Sequence, residues 1–94
     1  MEINEYTMKK MLDPTGILTG DRYEFMLYIS LDEDDELYSE SGTGIRAILA
    51  VEEDVERITT AHFFERATEK VLNFELEEEE EQAILQFCKN HVDE

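Results

Sequence analysis

Tryptophan is absent, cysteine and proline occur once each, and eight lysines and arginines stand against twenty-five acidic residues in a chain of 94. Each shortage excludes something. One cysteine, Cys88, rules out an intramolecular disulfide framework. A formal net charge of -17 repels nucleic acids and anionic membranes, which proteins bind chiefly through Lys and Arg. No stretch approaches the ~20 apolar residues of a membrane span. Met1 to Lys10 lacks a basic region followed by an apolar run, so no secretory signal is expected. These absences point to a cytoplasmic protein that contacts neither nucleic acid nor membrane directly. A phosphate-binding glycine loop is also missing: Gly42-Thr43-Gly44 leads into a strand rather than opening a helix.

Apolar content is sufficient to fold. Hydrophobic residues make up 41% of the chain, with four tyrosines and five phenylalanines, and they fall in patterned runs that a disordered acidic tail would lack. No compositional shift divides the sequence, so residues 1–94 are expected to form a single acidic α+β domain.

Tyr23, Phe25, Leu27, Ile29 and Leu31 recur with strict period two, leaving Glu24, Met26, Tyr28 and Ser30 on the opposite side of a strand. Ile3 to Leu12 reads as a strand carrying a bulge. Asp13-Pro14-Thr15-Gly16 has the residue order of a type I turn. Ile45 to Val51 is apolar and partly β-branched, the pattern of a central strand covered on both faces. After a hairpin loop at Glu52-Glu53-Asp54, Val55 to Arg66 is predicted as a strand with Ile58, Thr60, His62 and Phe64 on one face and Thr59, Ala61 and Phe63 on the other. Lys70 to Phe74 supplies a fifth strand. From Glu77 the period becomes helical, with Ile84, Phe87, Cys88 and His91 at i, i+3, i+4 and i+7. Glu77 to Glu81 fill the first turns, where the helix dipole favours negative charge. The loops are too short for parallel crossovers. The expected architecture is therefore an antiparallel sheet of four to five strands in meander order, with one C-terminal amphipathic helix packed on one face.

Candidate chemistry is sparse. Asp32, Asp34 and Glu36 alternate like calcium ligands, but the sixth and twelfth places of an EF-hand loop, which need Gly and a bidentate acid, hold Leu37 and Thr43. Cys88 and His91 lie three apart on the helix, yet two ligands do not make a zinc site, and both fall on the apolar stripe. His62 has no neighbouring Asp or Ser pattern that would make it a general base. No catalytic residue, metal or cofactor is expected. What remains is the run Asp32, Glu33, Asp34, Asp35 and Glu36 with Tyr38 beside it, a residue type suited to binding surfaces. This segment, continuing through Ser39, Ser41, Gly42 and Gly44, reads as an exposed loop.

The segments Asp13-Pro14-Thr15-Gly16-Ile17-Leu18-Thr19-Gly20-Asp21-Arg22-Tyr23-Glu24-Phe25, Asp35-Glu36-Leu37-Tyr38-Ser39-Glu40 and Phe87-Cys88-Lys89 resemble an uncharacterised family of short acidic proteins from spore-forming bacteria. The resemblance spans nearly the whole chain. It implies a cytoplasmic, single-domain bacterial protein and carries over no catalytic or binding residue. Some relatives bear the name of a starch-debranching enzyme, pullulanase, but such enzymes use a (β/α)8 barrel of about 250 residues, which 94 residues cannot hold. Charge and loop together suggest a non-enzymatic accessory or regulatory module that meets a basic protein surface through Asp32 to Glu36 and Tyr38. Its rivals are a DNA mimic occupying a nucleic-acid-binding protein, a calcium-associating protein and a small hydrolase.

Overall fold

The computed structural model describes residues 2–11, 20–53 and 55–92. Leu12, Asp54 and the Asp13-Pro14-Thr15-Gly16 turn lie outside them. The chain runs β1 (Glu2–Met11), β2 (Asp21–Ser30), β3 (Thr43–Glu52), β4 (Val55–Glu65), β5 (Val71–Leu72) and α1 (Glu78–His91). The strands form one five-stranded sheet in sequential order, antiparallel at every pairing. This is the expected meander with a C-terminal helix.

The period-two run of β2 buries as expected. Phe25, Leu27 and Ile29 join Ile45, Ala47 and Leu49 of β3, Phe63 of β4, and Ile84 and Cys88 of α1 in one core, with Tyr23 and Leu31 packed at its margin. The helix therefore covers the sheet face that carries the odd-numbered residues of β2 and β3.

Three expectations are corrected. The first is the facing of β4. Ile48 pairs with Thr60 but Leu49 pairs with Ile58, so Thr59 is an extra residue, a bulge that breaks the alternation. Ile58 thereby turns to the core side with Ala61 and Phe63, while Thr60, His62 and Phe64 face away. The bulge expected in β1 is present at Asn4, between the pairs Ile3–Ile29 and Glu5–Tyr28.

The second correction is the start of β3, where Thr43 and Gly44 are strand residues and buried rather than loop. Thr43 Oγ1 donates to the Leu37 carbonyl at 2.5 Å, and Gly44 lies beneath Phe64. A Cβ on Gly44 would sit 2.6 Å from Phe64 Cε1 and 3.1 Å from the Leu27 carbonyl oxygen. Phe64 also meets Tyr28 in an edge-to-face contact. Gly44→Ala is expected to destabilise by about 1–3 kcal/mol through overpacking, as read by urea denaturation. The same substitution made in Phe64→Leu should cost less; equal costs in the two backgrounds would show that the ring is not the obstacle.

The third is length: β5 is two residues long, not five. The Phe74 N–H donates to the Leu72 carbonyl at 2.9 Å, a three-residue turn that takes the chain out of the ladder and leaves Phe74 exposed.

Candidate functional site

Leu31 and Leu37 bracket the five carboxylates, and both pack against the core. With its ends pinned inward, the short segment between them must face water. Two successive turns set its shape: the Asp35 N–H donates to the Asp32 carbonyl at 2.9 Å and the Tyr38 N–H to the Asp35 carbonyl at 3.0 Å. Asp35 Oδ1 also accepts the Leu37 N–H at 2.9 Å, so one acid of the run organises the loop. Asp32, Glu33, Asp34, Asp35 and Glu36 are all exposed, and Tyr38 is 39% exposed. The sequence expectation of an exposed loop holds for Asp32 to Glu36 and Tyr38, while Leu37 between them turns inward.

Pairing of β1 with β2 adds a residue that the sequence did not single out. Glu2 stands opposite Ser30, and an open hollow of about 390 Å3 is lined by Glu2, Ser30, Leu31, Asp32 and Asp35. Three carboxylates thus border a depression with an apolar wall at Leu31, complementary to the alkyl stem and charged head of a Lys or Arg side chain. Among the described residues, no group of three or more His, Cys, Asp or Glu is placed to hold a metal ion.

The other candidate residues are separated by the sheet. Cys88 is fully buried on the helix side, and burial pushes its thiol up to about 12. His91, near the end of the same helix, donates from Nδ1 to the Phe87 carbonyl at 2.7 Å. Its ring stacks on Phe87 and meets Tyr6 edge-on. His62 lies on the opposite face, across from Arg46. It shares a hollow of about 280 Å3 with Glu24, Met26, Arg46, Phe64 and Glu69. No single cleft gathers His62, Cys88 and His91.

That helix-free face collects much of the scarce positive charge. Arg46 donates through Nε and Nη2 to Glu24 Oε2 at 2.9 and 2.6 Å. Arg22 and Arg57 flank Glu52 at 3.6 and 3.9 Å. Arg66 lies 4.2 Å above the Tyr28 ring and reaches Glu5 at 3.3 Å. Each of these arginines is drawn into an internal pair. Among the described residues, long polar side chains rather than a second layer of structure lie over this face of β3, where Ala50 is buried. Among the described residues, the ion pairs run to Glu5, Asp21, Glu24 and Glu52, and none reaches the acidic loop.

No described helix is long and apolar enough to cross a membrane. A family model described as "Family of unknown function (DUF6509)" matches residues 1–94. No curated protein and no solved structure matches the chain.

Proposed function

We infer the role of this chain, which belongs to the family of unknown function DUF6509, from its surface chemistry: it is a non-enzymatic accessory or regulatory module that binds a basic protein surface. The observation that carries this reading is the loop from Asp32 to Tyr38, which is folded by its own turns and projects its carboxylates outward beside a half-exposed tyrosine. A net charge of -17 gives long-range attraction to basic surfaces and speeds encounter. Specificity then rests on contact, with a Lys or Arg of the partner entering the hollow between Glu2, Asp32 and Asp35 while Tyr38 supplies apolar area. A lone buried thiol suits a reducing compartment, and we place the protein in the cytoplasm of a spore-forming bacterium.

The test compares wild type with a loop variant, Asp32→Asn, Glu33→Gln, Asp34→Asn, Glu36→Gln and Tyr38→Ala. Asp35 is left intact because it holds the turn. Wild-type protein immobilised in native extract should retain basic proteins that the variant does not, and isothermal titration with the purified retained protein should show affinity at least about tenfold weaker for the variant. Retention unchanged by the loop substitutions would refute the reading.

A further inference from the structure

β1 is the outermost strand on its side of the sheet and is ten residues long. An edge of that length presents a row of backbone N–H and C=O groups, which proteins either blunt or use for pairing. Its one irregularity, the Asn4 bulge, lies at the start, so Glu5 to Met11 pair regularly with Tyr28 to Arg22. Charge along the strand is divided between its ends: Glu2 and Glu5 come first, Lys9 and Lys10 last. In an antiparallel pair the start of one strand faces the end of its neighbour. The edge is therefore complementary in charge to a second copy of itself, within a chain whose net charge of -17 makes most of its surface self-repelling.

The register follows from the faces. Slipping by one residue would set side chains of opposite faces against each other. With Thr7 opposite Thr7 of a second copy, Glu5 faces Lys9 on the helix-free side, and Tyr6 faces Met8 on the helix side. A shift of two residues in one direction loses the charge pair and brings Met8 against the bulge. In the other direction it sets Tyr6 against Lys10. Tyr6 is already fixed for such a contact, packed by Phe25, Phe87 and His91, and both Tyr6 and Met8 are only half-buried.

We propose that this protein forms a two-fold dimer by antiparallel pairing of β1 with β1 of a second copy, centred on Thr7. The axis runs normal to the sheet. The two sheets become one continuous sheet, both helices lie on the same side, and two Glu5–Lys9 pairs close the helix-free side. Asp32 to Tyr38 are not part of this interface; Glu2, at the start of β1, is the one residue that borders both it and the hollow of the partner reading, and the association of two copies is measured without any partner.

Sedimentation equilibrium across a concentration series of the full chain should fit a reversible dimer. Lys9→Glu, which puts like charges opposite each other at both symmetry-related positions, should weaken association about tenfold or more. Combining it with Glu5→Lys should restore association. Thr7→Cys should form a disulfide-linked dimer under mild oxidation, since directly opposed strand residues have Cα atoms about 4.5–5.5 Å apart, within the range of a disulfide. Thr60→Cys, exposed on β4, serves as the control. A monomer at every concentration, a dimer indifferent to Lys9→Glu, or Thr7→Cys linking no faster than Thr60→Cys would each overturn the proposal.

Discussion

Ile84→Ala is expected to lower the unfolding free energy by about 2–5 kcal/mol, and Phe87→Ala by only about 1–2 kcal/mol, although Phe87 has the larger side chain. Burial decides the order. Ile84 is fully inaccessible and belongs to the buried core cluster shared by β2, β3, β4 and the helix, so its truncation leaves a cavity in a packed interior. Phe87 sits at the margin, half-buried between the edge of Tyr6 and the face of His91, where water reaches the space that its ring vacates. In a domain whose whole stability is roughly 5–15 kcal/mol, the first substitution removes a large share and the second does not. Urea denaturation followed by far-UV circular dichroism gives both values. If Phe87→Ala cost as much as Ile84→Ala, the aromatic cluster with Tyr6 and His91, and not the buried aliphatic stripe, would anchor the helix.

The helix was legible because its period survives in every turn. Ile84, Phe87, Cys88 and His91 do lie toward the sheet, but only Ile84 and Cys88, four apart, are fully buried. The other two lean toward β1. Its start was equally readable from the glutamates: Glu80 reaches back to accept the Glu77 N–H at 2.9 Å, one half of a capping box. β2 was read from strict alternation, which nothing interrupts. β4 was misfaced because a bulge is a register event between two strands and carries no fixed signal on one. The spacing of Ile58, Ala61 and Phe63, three and then two, is the trace it leaves, and a rigid period of two conceals it. The early end of β5 had no signal, since a turn made by backbone atoms at Leu72 and Phe74 demands no particular side chain.

The surface was legible to different depths. Five consecutive acids cannot be buried without partners, so the exposure of Asp32 to Glu36 followed from composition alone. Glu2 was not visible as their neighbour because its proximity depends on the β1–β2 ladder, which sets it opposite Ser30. The helix-free face was legible in principle: Arg22 and Glu24 share one parity on β2, and Arg46 has the matching parity on β3. Joining them required the register that places Glu24 opposite Ile48 and Met26 opposite Arg46, from which the Arg46–Glu24 contact runs diagonally.

In native buffer Cys88 is expected to react with a thiol reagent at least ~1,000-fold more slowly than in urea, because labelling of a buried group waits for opening events whose free energy approaches that of global unfolding. Two facts combine. The side chain is fully inaccessible, and desolvation by burial raises its pKa from 9.0 to about 12, so the reactive thiolate is scarce at neutral pH even for a reagent that gains entry. The shift also fixes a pH dependence of stability. The unfolded thiol ionises first, near 9.0, while the folded thiol holds its proton to about 12; the unfolded state therefore binds fewer protons in that interval, and stability falls as pH rises through it. Below 9.0 the contribution of the buried neutral thiol is fully present; toward 12 it is lost at up to about 1.4 kcal/mol per pH unit. Tyrosines and lysines titrate in the same range, so the informative comparison is with Cys88→Ala, which removes the titrating group and leaves the others. Its stability curve should lie below that of the wild type at neutral pH and decline less steeply on the alkaline side. Parallel alkaline limbs, together with native labelling as fast as labelling in urea, would place the thiol at the surface and return Cys88 to the residues available for chemistry.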